Sequence, residues 1–375
     1  MLLSMLVATA LAAQMSYGGP EVSADRTVVL SLTAPQARAV HVWGDWMRED
    51  AGVPMTRGAD GVWTAVTPVL TPGPHLYAFL VDGLRVADPA NRRVKNGYPG
   101  ISSVLDVPAA GAAPDARGVT HIHTYVNRET GRVRSLHVYT PARFGADTRL
   151  PVLYLLHGST DGDRDWTLLG QAGELLERLV RDGAARPMLL VMPDGHPYPS
   201  LDVSTRADNL RLLDAEFVQT IAPLVERAYH PAAGTAQRAI LGASMGGAQA
   251  LHLTARHPGM FGTVVGLSAP GDIPSGPTLL DAWRGHARDG EPGVWLYCGS
   301  ADPFLADARR VRDQLQTLGR RADWIETPGA HDCQPGVRTS SWRCGGCFAD
   351  RNGTRQGGGR PLLEQVARRE RQGVV

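Results

Sequence analysis

Residues 238–256 read RAILGASMGGAQALHLTAR, and the fold follows from how they are read. A short apolar run, Ala239-Ile240-Leu241, meets Gly242-Ala243-Ser244-Met245-Gly246-Gly247, and a helix-like run with Ala248, Ala250, Leu251, Leu253 and Ala255 follows. Strand, sharp turn, helix is the context in which G-x-S-x-G lifts a serine hydroxyl onto a strained turn. A glycine on each side removes the side chains that would clash there. The helix that begins after Ser244 aims its first amides at the same point, so the Met245 N–H is the predicted donor to an oxyanion. The bland alternative is a glycine-rich turn with an idle serine; the strand before it and the helix after it favour catalysis.

Working outward, residues 119–332 alternate apolar runs with helical stretches. His121–Val126 and Arg134–Tyr139 read as an antiparallel pair around Glu129-Thr130-Gly131. The runs at 151–156, 187–192, 238–241, 263–267, 294–298 and 323–327 are apolar without alternation, and helices are expected between them, for instance over Glu174–Arg181 and Leu213–Tyr229. Continuous apolar strands spaced by helices predict a mostly parallel sheet with helices on both faces. The chemistry of such sheets gathers at the carboxyl ends of the strands. Asp302 lies just past 294–298, and His331 follows 323–327. Ser244, Asp302 and His331 therefore stand at three strand ends in the order Ser…Asp…His. His331 is the predicted base and Asp302 the residue that fixes its tautomer, with Asp307 the fallback acid. His121 and His123 share a strand face as a candidate metal pair, but no third ligand is near in sequence. No metal or cofactor is expected.

The combination YLLHG (154–158), VMPDGH (191–196), GASMGG (242–247), CGSADPFL (298–305) and ETPGAH (326–331) resembles the putative esterase family of α/β-hydrolases. That family includes feruloyl and acetyl-xylan esterases, S-formylglutathione hydrolase, mycolyltransferases and enterochelin esterases. The resemblance covers 119 to about 332. It implies that the His157-Gly158-Ser159 turn supplies the second oxyanion amide, from Ser159 with Gly158 behind it, while His157 holds the loop. Asp194-Gly195-His196 resembles a loop near the cleft, with His196 structural. Trp166 either borders the acyl pocket or is ordinary packing.

Residues 20–107 read as all-β, with strands at 26–33, 38–43, 61–66, 75–81 and 102–107 separated by Pro, Gly and Asp clusters. Trp43-Gly44-Asp45-Trp46, Asp60-Gly61-Val62-Trp63, Pro72-Gly73, Tyr77-Ala78-Phe79, Val81-Asp82-Gly83 and Asp88-Pro89 together resemble the early-set immunoglobulin-like module, the family-48 carbohydrate-binding module. The resemblance implies a sandwich with a candidate glycan contact, for which Trp46 is the exposed tryptophan; Trp63 and Tyr77 read as core. Residues 108–118, PAAGAAPDARG, are a linker.

The chain has 375 residues, a formal net charge of +1 and 43% hydrophobic residues. That balance supplies a core and gives no field that would favour nucleic acid or an anionic membrane. Residues 1–13, MLLSMLVATALAA, look like the h-region and cleavage site of a secretory signal within a leader of 1–19, although no Lys or Arg precedes Arg26. A secreted or periplasmic protein is expected. From 333 the chain is crowded with Arg, Gly and Cys and reads as a largely disordered tail, the abrupt shift suggesting a change of reading frame or a truncation product in place of a closing helix. A zinc or redox cluster of Cys333, Cys344 and Cys347 would lack a second CxxC and would draw on His331, already assigned to catalysis; a disulfide within the tail is the other reading.

The expected function is hydrolysis of feruloyl or acetyl esters on xylan, or of small aryl and acetyl esters. Two rivals stand beside it: a siderophore trilactone esterase and a non-catalytic glycan-binding protein. Oligomeric state is left open by the sequence.

Overall fold

The computed structural model describes residues 19–47, 52–97, 100–108, 117–198, 206–271, 278–284 and 292–331. The expected leader, the linker interior and the tail with its three cysteines lie outside the described residues. The chain divides into two compact units, one ending at Ala109, the other running from Ala110 and including the short segment Asn96–Gly100.

The first unit, over its described residues, is built from strands alone: β1 (Val29–Thr33), β2 (Val40–Gly44), β3 (Val53–Pro54), β4 (Thr56–Arg57), β5 (Val62–Val66), β6 (Gly73–Val81), β7 (Leu84–Val86), β8 (Val94–Lys95) and β9 (Ser102–Val107). They form two antiparallel sheets, ordered β1-β5-β4 and β3-β2-β6-β9-β8, with β7 beside β6. Alternation does the work: Leu30 and Leu32 of β1 point inward while their neighbours face solvent. Leu30, Leu32 and Trp63 from one sheet meet Val40, Val42, Tyr77, Phe79 and Leu105 from the other in one core. The five longer strands lie within two or three residues of their expected positions. The two- and three-residue strands carry no periodicity that a sequence can show.

The second unit holds an eight-stranded sheet of β10 (Val119–Val126), β11 (Val133–Thr140), β12 (Val152–Leu156), β13 (Leu189–Pro193), β14 (Arg238–Ala243), β15 (Thr263–Leu267), β16 (Gly293–Gly299) and β17 (Ala322–Thr327). The order is β10-β11-β13-β12-β14-β15-β16-β17. The β10–β11 and β11–β13 pairings are antiparallel, and all others are parallel. The helices are α1 (Asp165–Leu168), α2 (Ala172–Arg181), α3 (Arg206–Glu216), α4 (Ala222–Tyr229), α5 (Met245–Arg256), α6 (Leu279–Arg284) and α7 (Leu305–Thr317). Every residue of β12 and β13 is buried. Val152, Tyr154 and Leu156 enter one core and Leu153 and Leu155 the other, so two apolar clusters flank the sheet. This is an α/β-hydrolase-like fold.

The expected single helix over 213–229 is instead two helices joined by a π-helical turn, Phe217–Ile221. Pro223 accounts for the break. It lacks an N–H, and its ring would strike the carbonyl four residues back in a regular α-helix.

After β12 the chain passes to β13 on one side and later returns to β14 on the other. The crevice outside the carboxyl ends of β12 and β14 is thus the switch point at which ligands bind in open α/β sheets. His157 follows β12, and Ser244 follows β14.

Candidate active site

Ser244 sits between β14 and α5 with φ 53° and ψ −116°, a conformation that costs a residue with a Cβ on the order of 1–3 kcal/mol. Its neighbours make the turn hold. A Cβ on Gly242 would lie 1.9 Å from Gly246 O, and one on Gly246 would lie 2.5 Å from both Leu156 O and His157 O. Both glycines are therefore required by contact, and Gly246 brings the turn against the end of β12. Ser244 N–H donates to Leu267 O at 2.8 Å, tying the turn to β15.

Three side chains from separate strand ends meet here. His331 Nε2 lies 3.0 Å from Ser244 Oγ, and His331 Nδ1 lies 2.9 Å from both carboxylate oxygens of Asp302. With the Nδ1–H donated to the Asp302 carboxylate, Nε2 presents its lone pair to the serine proton. Phe304 packs on the imidazole at a ring separation of 4.8 Å. Asp302 is 5% exposed. Burial alone would raise its pKa, yet hydrogen bonds from His331 and Ser268 and the Phe304 N–H outweigh it and hold the carboxyl below its ordinary value. Cys298 lies behind Asp302. Burial, then the carboxylate, push its thiol up to about 12, which removes it as a rival nucleophile at neutral pH.

The residues expected to hold an oxyanion lie on two segments, α5 and the turn after β12. Met245 opens α5, so its N–H has no acceptor within the helix. Ser159 and Gly158 lie in the turn after β12, against which Gly246 packs. His157, 2% exposed, spans this turn and the next. Its Nδ1 donates to Gly158 O at 2.8 Å, and its Nε2 accepts the Gly195 N–H at 2.8 Å with Asp194 Oδ1 at 3.2 Å. Gly195 N–H and the Asp194 carboxylate both meet Nε2, so the loop after β13 holds the ring while Nδ1 donates to Gly158 O. His196 Nε2 donates to Ser159 O at 3.0 Å, and burial drives its pKa down to about 4, so the ring is neutral.

Other expected residues take different places. Asp307 lies on α7 and pairs with Arg310 at 2.8 Å, away from His331's hydrogen bonds, so the fallback acid is not needed. Trp166 is 2% exposed within the apolar cluster of Leu153, Leu155 and Tyr139. Of the two readings of Trp166, acyl pocket or ordinary packing, its burial in this cluster favours packing. Trp46 is half-buried rather than exposed. Its ring folds over Gly44, where a Cβ would meet it at 2.2 Å, and meets His75 edge-on at 5.9 Å. The candidate metal pair is engaged in hydrogen bonds, His123 Nε2 with Tyr229 OH at 2.5 Å and His121 Nε2 with Thr140 Oγ1 at 3.1 Å. Among the described residues no group of three His, Cys, Asp or Glu is placed to hold a metal ion, and no helix is long and apolar enough to cross a membrane.

Sequence reasoning missed three supports. Ser268, with φ 47° at the end of β15, hydrogen-bonds Asp302. Gln249 Nε2, one turn into α5, donates to Gly195 O at 2.9 Å. Arg134 of β11 donates to Asp194 O and His196 O. None belongs to a motif; a serine directly after an apolar strand and a lone arginine within one were the only signals.

Comparison with known proteins places this geometry. An endo-1,4-beta-xylanase/feruloyl esterase of Xylanibacter ruminicola is 28% identical over 331 residues, 84% of this chain; the chain spans 43% of that relative's length. The crystal structure of an enterobactin esterase from Shigella flexneri superposes with a TM-score of 0.57 at 19% identity, covering 93% of this chain and 94% of that one. A CE1 ferulic acid esterase from the anaerobic fungus Anaeromyces mucronatus gives a TM-score of 0.53 at 21% identity, covering 60% of this chain and 88% of that one. These structures are similar in fold. The family described as "Putative esterase" matches residues 128–327, more than half of the chain. The protein belongs to that family.

Proposed function

We propose that the protein is a secreted serine carboxylic-ester hydrolase that removes feruloyl or acetyl groups from plant cell-wall polysaccharide such as xylan. One observation carries the reading: the unbroken line from Ser244 Oγ through His331 to Asp302, with contacts of 3.0 and 2.9 Å. Ser244 Oγ attacks the ester carbonyl while His331 Nε2 takes its proton. The Met245 and Ser159 amides receive the oxyanion. The C–O bond to the sugar breaks, the alkoxide leaves with the proton from His331, and an acyl-serine remains. Water then attacks, giving its proton to His331, and the carboxylic acid and free Ser244 are restored. The feruloyl esterase activity in the name of the Xylanibacter relative supports this acyl class. The strand-built first unit is read as an early-set immunoglobulin-like module that contacts glycan.

A second reading is a siderophore trilactone esterase, favoured by the likeness to the Shigella enterobactin esterase across both units' length. Hydrolysis of methyl ferulate, acetylated xylan, p-nitrophenyl acetate and enterobactin, by the parent and by Ser244→Ala, separates the readings. Turnover of the first three that Ser244→Ala abolishes supports the proposal. Preference for enterobactin supports the second, and turnover that survives Ser244→Ala overturns both.

A further inference from the structure

The Ser159 N–H belongs to the peptide whose carbonyl is Gly158 O. In a trans peptide the two point in opposite directions, so whatever holds the carbonyl also sets the heading of the amide. His157 holds that carbonyl through Nδ1 at 2.8 Å. The imidazole is in turn held by the Gly195 N–H at 2.8 Å, and the next residue, His196, grips Ser159 O from the other side at 3.0 Å. Both routes to the Ser159 amide therefore begin in the loop Asp194-Gly195-His196.

Two side chains fasten that loop: Gln249 donates to Gly195 O at 2.9 Å, and Arg134 grips the carbonyls on either side of it. Arg134 Nη2 donates to Asp194 O at 2.5 Å and Nη1 to His196 O at 2.7 Å, while its Nε donates to Glu216 Oε1 at 2.7 Å. Arg134 is 8% exposed and the Glu216 side chain 0%. Tyr125 OH donates to the same Glu216 oxygen at 2.7 Å. A buried ion pair is poor evidence for stability, because desolvation offsets most of the attraction. A planar fork that grips two carbonyls two residues apart is another matter: an ammonium on a flexible stem does not reproduce it. Burial works against the guanidinium's charge, and Asp194, Glu216 and Tyr125 outweigh it, so the fork stays charged.

We infer that Arg134 is a positioning residue: through the 194–196 loop, His157 and His196, it aims the Ser159 amide at the oxyanion. Glu216 holds the fork in place from the other side. This rests on the proposed serine mechanism. It also accounts for a buried charge pair on β11 and α3 whose atoms touch none of Ser244, His331 or Asp302.

The test is steady-state kinetics of the full chain on p-nitrophenyl acetate, with labelling by a fluorophosphonate whose adduct places an oxygen in the oxyanion position. Arg134→Lys keeps the charge opposite Glu216 but loses the fork. It is expected to lower kcat and the labelling rate by about 10- to 100-fold, a misaimed donor costing somewhat less than a deleted one, with KM changed by less than about threefold. His196→Ala, at a half-buried position, cuts only the last link and is expected to show the same kcat-selective loss; it decides the matter if Arg134→Lys fails to fold. A folded Arg134→Lys or His196→Ala with parental kcat, or with a rise in KM alone, overturns the inference. The Ser244→Ala control separates the two levels. Activity surviving Ser244→Ala sinks the serine mechanism itself, whereas activity lost there but retained in Arg134→Lys sinks this inference alone.

Discussion

A histidine paired with a buried aspartate stands in each unit of the chain, and the two pairs are alike at one end of the ring. His331 Nδ1 lies 2.9 Å from Asp302, and His75 Nδ1 lies 2.9 Å from Asp45. They differ at the other nitrogen. His331 Nε2 faces the hydroxyl of Ser244 at 3.0 Å, a group that gives a proton. His75 Nε2 faces the carbonyl of Thr71 at 2.7 Å, a group that can only accept one. His75 thus meets an acceptor at each ring nitrogen, and Asp45 also receives the Leu76 N–H. The pair in the first unit staples β6 to the turn after β2. Its counterpart in the second unit is left with one lone pair to use. A histidine–carboxylate contact alone says little about catalysis; what meets the second nitrogen decides it.

The largest expected effect comes from removing the group that distinguishes the two pairs. Ser244→Ala should reduce hydrolysis of p-nitrophenyl acetate by about 10⁴-fold or more, with the thermal midpoint little changed. Next, the same chemical change made in each pair should have different consequences. Asp302→Asn should lower kcat by about 10³- to 10⁴-fold through loss of the correct tautomer. Asp45→Asn should leave kcat unaltered and instead cost about 3 kcal/mol in urea unfolding, since it removes one partner of a buried pair. If Asp45→Asn cut kcat as Asp302→Asn does, the contrast would collapse.

A smaller effect appears in the pH dependence of stability. The Asp302 carboxyl is held below its ordinary value in the folded protein, where hydrogen bonds from His331 and Ser268 outweigh its burial. A lowered folded pKa adds stability that is present above the unfolded value of about 4 and is lost as pH falls through the folded one. The stability gap between the parent and Asp302→Asn should therefore be widest above about pH 4 and close on further acidification. Smallest is an expected absence of effect. The Cys298 thiol, pushed up to about 12, should stay unmodified by a thiol reagent in the folded enzyme, and activity should persist.

How much of this was legible beforehand depends on the range of the interaction. The eight strands of the second unit were read within a few residues, because burial on both faces writes an unbroken apolar run into β12 and β13. Ser244, Asp302 and His331 stand out in the sequence because each follows such a strand. The sequence leaves Trp166 open between pocket and packing and reads Trp46 as exposed, since a tryptophan looks the same in sequence whether it joins a core or faces water. The π-helical turn at Phe217–Ile221 was missed although Pro223 marks it.

The sequence by itself determined the strand–turn–helix around Ser244, the glycines that allow it and the order of the three polar groups, because these depend on local sterics and on periodicity within a few residues. Only the tertiary structure decided that His331 Nε2 faces a hydroxyl while His75 Nε2 faces a carbonyl, and that Arg134 grips a loop some 60 residues further along the chain. Those outcomes depend on which atoms the sheet order brings within 3 Å, a distance that no local pattern encodes.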